Sequence, residues 1–149
     1  VKVSQELCVK VKRLYEAAKL PTYATDGSGC FDIYTMLNGD TDYNEPHTYS
    51  TGLAFEIPED HVMLIFSRSG HGFKNDVRLS NCVGVIDSDY RGELKVKLSC
   101  DKIGWGLEVN AGDRIAQGLV IPYNKVQFEE VKELGETARG VGGMGSTGK

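Results

Sequence analysis

Asp87, Ser88, Asp89 and Tyr90 form a short polar connection between two apolar runs, and of all the residues in the chain they are the best placed to do chemistry. Side-chain carboxylates are ionised at neutral pH and can accept a proton from water. After the connection, Leu94, Val96 and Leu98 alternate with Glu93, Lys95, Lys97 and Ser99, the period of two that puts apolar side chains on one face of a half-buried strand. Before it, Val83, Val85 and Ile86 also suit a strand. The stretch from Asn81 to Leu98 therefore reads as a β-hairpin with acids and an aromatic ring at its mouth. The same residue types also serve ordinary turns, because Asp and Ser favour them and a tyrosine there can simply cover an edge.

The elements that must position this mouth are short strands. Leu53, Phe55 and Ile57 alternate before Pro58, and Val62 to Phe66 is a continuous apolar run, read as a strand buried on both faces that delivers Ser67, Arg68, Ser69 and Gly70 at its end. Ile115 to Pro122 repeats the device after the turn Gly112-Asp113, and Lys125 to Leu134 reads as the strand that closes a barrel-like set. Val1 to Val11 alternates loosely as an edge strand, while Arg13 to Leu20 allows one helical turn at most before Pro21. Pro21 to Cys30 reads as a loop leading to a strand that starts at Phe31, and Asn38 to Pro46 as a polar surface insertion. Many short strands with almost no helix indicate an all-β sandwich or jelly roll.

At 149 residues and 40% hydrophobic, the chain is long enough to bury one core without covalent staples. The expected division is a β-barrel domain over 1–134 and a flexible, glycine-rich arm over 135–149. A formal charge of −4 argues against nucleic-acid or membrane-surface partners, and it means that a polyanionic ligand must be held by locally placed cations and backbone N–H groups. Cys8, Cys30, Cys82 and Cys100 lack the spacing of a zinc site or a disulfide framework. The charges scattered through the first twenty residues do not suit a signal-peptide core, and no run approaches a membrane span, so an intracellular location, cytoplasmic or nuclear, is expected. The arm is not a Walker loop, since it lacks the Gly-Lys-Ser/Thr ending.

Five stretches in order resemble the motifs of the trimeric dUTPases, the all-β enzymes that split dUTP into dUMP and pyrophosphate. They are Leu20 to Thr25 running on to Phe31-Asp32-Ile33, then Arg68-Ser69-Gly70, Asn81 to Tyr90, Gly112 to Gln117, and Arg139 to Gly148. The resemblance implies a distorted jelly-roll β-barrel, a homotrimer with active sites shared between subunits, and an activity that limits uracil in DNA and supplies dUMP for dTMP synthesis. It makes Asp87 the base that activates water against the α-phosphorus and Tyr90 the ring that packs under the deoxyribose. Asn81, with the backbone of Gly84, Val85 and Ile86, would read uracil. Arg68, Ser69 and Gly70 would face the triphosphate, and Gln117 would orient the water. Asp32 would hold waters of a magnesium ion otherwise carried by the triphosphate. In the arm, Arg139, Met144, Gly145, Ser146 and Thr147 would close over the nucleotide.

The chain departs from the family pattern at several positions. Met144 stands where an aromatic usually covers uracil, Gly29-Cys30 replaces Ala-Gly, Ser67 and His71 flank Arg68-Ser69-Gly70 where Pro and Leu are common, and Asp76 replaces a Gly. Two other readings stay open. One is dCTP deaminase, which shares the fold but lacks the Asp87 to Tyr90 pattern, and the other is a catalytically silent trimer that only binds nucleotide or a protein.

Overall fold

The structure, a computed structural model, describes residues 6–146 and Gly148. Among them the chain forms eleven strands and one short helix: β1 Lys10–Arg13, β2 Phe31–Tyr34, β3 Gly39–Asp42, β4 His47–Ser50, β5 Leu53–Glu56, β6 His61–Phe66, α1 Ser69–Asn75, β7 Val77–Leu79, β8 Val83–Ile86, β9 Lys95–Cys100, β10 Gly106–Val109 and β11 Arg114–Pro122. The class is all-β. The strands make four antiparallel groups, β2-β11-β6-β8, β4-β9-β7, β1-β5 and β3-β10, and no single closed barrel is formed among the described residues.

The core lies between these groups. Ile33, Met63, Ile65 and Ile115 come from the four-stranded sheet, Tyr49, Val77, Leu79, Val96 and Leu98 from the three-stranded one, and Leu53 and Phe55 from β5. The fully buried Tyr49 phenol is satisfied by Thr41 Oγ1 at 3.0 Å, as an enclosed hydroxyl must be, and burial pushes its pKa up. No helix among the described residues is long and apolar enough to cross a membrane.

Several expectations are corrected by pairing that composition does not encode. The stretch from Asn81 to Leu98 is not a hairpin: β8 pairs with β6, whereas β9 pairs with β4 and β7, so residues 87–94 carry the chain from one sheet to the other. Period-two patterning is the same whether two strands pair with each other or each with a third. Asn38 to Pro46 is not a surface insertion, because β3 within it pairs with β10 and buries Thr41 completely. Val62 to Phe66 is buried on one face only, through Met63 and Ile65. Lys125 to Leu134 forms no strand, and its Phe128 and Leu134 are 91% and 87% exposed, with no strand among the described residues to cover them. The edge strand expected over Val1 to Val11 begins only at Lys10, and the part of that expectation on residues 1–5 lies outside the described residues. Helix α1 went unread because Gly70 and Gly72 mask its character, and it buries no residue.

Candidate active site

The expected site residues fall into two groups at opposite ends of the sheet β2-β11-β6-β8. At one end, register places Asp32 of β2 beside Gln117 of β11, and Gln117 beside Phe66 at the end of β6. Ser67 and Arg68 follow, where the chain turns into α1. The Gln117 amide Nε2 donates to the Ser67 carbonyl at 2.8 Å, which fixes the side chain. Arg68 Nε lies 3.5 Å from Asp32 Oδ1, and Arg114 Nη1 lies 3.3 Å from Asp32 Oδ2. Arg68 also donates from Nη1 to the Arg114 carbonyl at 3.2 Å. A buried carboxylate thus braces two guanidinium groups, one from the start of β11 and one from the turn between β6 and α1, and leaves the cluster with one net positive charge. Such a cluster suits an oligophosphate.

The same geometry bears on a metal. Asp32 has a guanidinium facing each oxygen, and no group of three or more His, Cys, Asp or Glu stands ready to hold an ion among the described residues. Direct ligation by Asp32 does not fit this arrangement. The contact expected between Asp32 and a magnesium ion runs through water, so it is compatible with Asp32 also positioning Arg68 and Arg114.

Two residues of this cluster were missed in the sequence. Arg114 was legible only as part of Gly112 to Gln117; a register shift between Arg114 and Ala116 sets it opposite Tyr34 and lets it reach Asp32. His71, on α1, brings Nε2 to 3.4 Å from Arg68 Nη1. Its Nδ1 is buried without a partner among the described residues. Burial, and secondarily the charge of Arg68, hold the His71 pKa below the ordinary imidazole value, against an opposing pull from Asp113. Ser69 and Gly70 open α1 and are exposed beside Arg68. Asp76 closes the helix in the left-handed conformation at φ 51°, which is why a glycine would also suit that position.

At the other end of the sheet lies the turn that starts at Asp87. Asp87 and Tyr90 are exposed and share a groove of about 430 Å³ with Val85, Ile86, Glu93, Leu94 and Lys95. The turn is tied by its backbone: Tyr90 N–H donates to the Asp87 carbonyl at 3.2 Å, and Arg91 Nη1 donates to the Ser88 carbonyl at 2.6 Å and the Tyr90 carbonyl at 3.2 Å. Gly84 is buried opposite Ile65 of β6, so closely that a Cβ there would stand 3.1 Å from Ile65 Cβ. Asn81 precedes β8 and Asp87 follows it, so these two expected nucleotide contacts sit at opposite ends of one strand.

Asp87 and Gln117 do not meet within one chain. Val83 faces Phe66, which faces Gln117, and Asp87 is four residues further along, about 13 Å along the strands and about 10 Å across them. Between the two ends the register sets Val85, Leu64 and Leu119 in a row on the outer face, with Val85 60% exposed. Among the described residues, the arm makes no hydrogen bond to either end. Its hydrogen bonds are internal, Arg139 Nε to the Gly142 carbonyl at 2.9 Å and Ser146 N–H to the Gly143 carbonyl at 3.1 Å, while Met144 is fully exposed and Gly145 takes φ 77°. Thr147, expected to touch substrate, lies outside the described residues.

The comparisons agree with this architecture. The dUTPase family model matches residues 16–148. A deoxyuridine 5'-triphosphate nucleotidohydrolase of Nautilia profundicola is 40% identical, over 95% of this chain and 99% of the relative. Among solved structures, a mutant dUTPase of Staphylococcus bacteriophage 80alpha with dUpNHpp superposes with a TM-score of 0.87 at 24% identity, covering 95% of this chain and 99% of the other. A mutant dUTPase from phage phi11 of S. aureus, in which a structural Mg(II) ion is coordinated, gives 0.79 at 23% identity, covering 87% of this chain and 99% of the other. These two structures show the shared fold. The chain belongs to the dUTPase family.

Proposed function

We propose that the chain hydrolyses dUTP to dUMP and pyrophosphate at sites assembled from different copies of itself in a homotrimer. The Nautilia relative, whose name states that activity, supports the substrate, and one observation supports the shared site: Asp87 and the Arg68–Arg114–Gln117 cluster occupy opposite ends of one apolar sheet face. A second copy laid on that face would cover the row of Val85, Leu64 and Leu119 and bring its own Asp87 to the cluster. The exposed Phe128 and Leu134 after the last strand add apolar surface that a neighbour would also cover.

In this reading, the Asp87 carboxylate takes a proton from a water that Gln117 orients, and the water oxygen attacks the α-phosphorus. The bond from that phosphorus to the α,β-bridging oxygen breaks, and pyrophosphate leaves with the electron pair. Arg68 and Arg114, fixed in advance by Asp32, offset the charge that gathers on the phosphates, with Ser69 and Gly70 beside them. Tyr90 packs on the deoxyribose, and Asn81 with the backbone of Gly84, Val85 and Ile86 reads uracil. A magnesium ion would be held by the triphosphate's own oxygens, with its waters as its other ligands, a common arrangement for this ion. The residues from 135 onward act as a lid, with Arg139, Met144, Gly145, Ser146 and Thr147 reaching the site of another copy.

Product analysis with dUTP and the four common deoxynucleotides tests the activity. Pyrophosphate and dUMP from dUTP alone are expected. Ammonia from dCTP would identify the deaminase instead, and binding without turnover would identify the silent trimer. Sharing is tested by co-refolding a chain that ends before Arg139 with Asp87→Asn, each inactive alone. Mixed trimers should regain activity because the arm serves another copy's Asp87, and their failure, with mixing shown by mass, would overturn that sharing of the arm.

A further inference from the structure

We infer that Gly92 is a specificity-positioning residue: by lacking a side chain it lets the Tyr90 ring lie across the backbone where the sugar of the substrate is read. The inference rests on the reading of Tyr90 as the residue that excludes a ribose 2′-hydroxyl.

A Cβ built on Gly92 would stand 2.6 Å from Tyr90 Cζ and 2.9 Å from Cε2, and closer still to the hydroxyl. All three nearest atoms belong to that one ring. The backbone of Gly92 is not the reason for a glycine there, since it is absent from the positive-φ glycines, which include Gly52 and Gly112. A negative φ does not call for glycine, and the atoms that a methyl group would meet first belong to a half-exposed side chain that can swing away.

The ring is held in place from the other side. Tyr90 OH donates to the Glu93 carbonyl at 3.1 Å, and Glu93 is itself anchored, its Oε1 accepting from Gly52 N–H at 2.9 Å. Leu94 N–H donates to the Leu53 carbonyl at 2.8 Å, and the Leu94 carbonyl accepts from Thr51 Oγ1 at 2.6 Å. The carbonyl that positions the ring is thus tied to the turn between β4 and β5 and cannot follow a displaced phenol. A side chain at 92 would move the ring, break its bond to Glu93 and open space where a 2′-hydroxyl has to be refused.

The test compares kcat/KM for dUTP and UTP in the full-length enzyme. Gly92→Ala should narrow the dUTP-to-UTP ratio by about tenfold or more with its melting temperature little changed, because a mobile ring rather than the backbone gives way. Adding Gly92→Ala to Tyr90→Ala should leave the ratio of the single Tyr90→Ala variant unchanged, since no ring remains to displace. If Tyr90→Ala leaves the wild-type ratio intact, the reading of Tyr90 fails and this inference fails with it. If Tyr90→Ala narrows the ratio and Gly92→Ala does not, the inference alone is overturned. Should Gly92→Ala not fold, Tyr90→Phe decides. Loss of the bond to Glu93 should narrow the ratio roughly fivefold, the worth of one neutral hydrogen bond, and an unchanged ratio overturns the inference.

Discussion

The two ends of the four-stranded sheet are held by opposite means. At the cationic end, the register of β2, β11 and β6 sets Asp32 and Gln117 and delivers Arg68 just past the end of β6, and a carboxylate side chain only 12% exposed braces two arginines. At the other end, the turn at Asp87 hangs between sheets, tied by hydrogen bonds to backbone carbonyls and by the absence of a side chain at Gly92. Binding geometry is thus built into the sheet, while the proposed base and sugar reader stand outside it, open to water. Function and stability should therefore part company at one end and travel together at the other.

The largest effect is expected at the open end. Asp87→Asn keeps the shape of the side chain but removes the proton acceptor, so turnover should fall by several orders of magnitude while dUTP binding and the melting temperature hold. Single-turnover assays with a thermal melt check both halves. Wild-type turnover would sink the role of Asp87, and a collapse in melting temperature would sink the contrast between the ends.

At the braced end, Asp32→Ala should lower both properties. It leaves Arg68 and Arg114 facing each other without a counter-charge, and it should cost about 1–2 kcal/mol of stability, less than a fully buried pair because the Arg114 side chain is 46% exposed. Urea unfolding and kcat/KM on dUTP should fall together. If activity drops with no change in the unfolding midpoint, Asp32 meets the substrate or its magnesium rather than bracing the arginines.

The difference between the ends also governs what the sequence made legible. Strand positions came from local alternation, as in Leu53 to Ile57, and from short apolar runs, as in Val62 to Phe66 and Ile115 to Pro122, and Asp87 and Tyr90 were found because polar residues between apolar runs reach the surface. Pairing partners were not legible, since nothing in Val83 to Ile86 distinguishes β6 from β9 as its neighbour. The same limit hid Arg114. Its bond to Asp32 spans 82 residues of sequence and depends on a shift in register that no local pattern marks. Thr41 was read as part of a surface excursion because its burial depends on β10, far along the chain. The face between the two ends has no sequence pattern of its own, and it became visible only when Val85, Leu64 and Leu119 fell into one row.

A smaller effect is expected in the arm, which belongs to neither end in this structure. Met144 is fully exposed here, and in the proposed closed site it covers uracil with a flexible thioether. Met144→Phe should tighten dUTP binding by about 0.5–1.5 kcal/mol, the range of aromatic contacts beyond area burial. Titration calorimetry with a non-hydrolysable dUTP analogue measures it. Unchanged or weaker binding would place Met144 elsewhere, or in a pocket shaped for methionine.

The smallest effect concerns His71, behind the braced end. Its folded-state pKa lies below 6.5, first because it is buried and then because Arg68 is beside it, so in the window below 6.5 the unfolded chain binds a proton that the folded chain resists. Stability is therefore complete above 6.5 on this account and is lost as pH falls through 6.5 toward the depressed folded value. Other groups add their own slopes, so the comparison must be made between variants. His71→Leu removes the titration and replaces an unpartnered ring nitrogen with an apolar group. The stability difference between variant and wild type should widen as pH is lowered from 8 to 5, by no more than about 1.4 kcal/mol per pH unit, the limit for one proton. Urea midpoints across that range measure it. A difference that stays constant with pH would show that His71 takes up its proton as readily folded as unfolded, and that the space behind Arg68 is wetter than its buried Nδ1 implies.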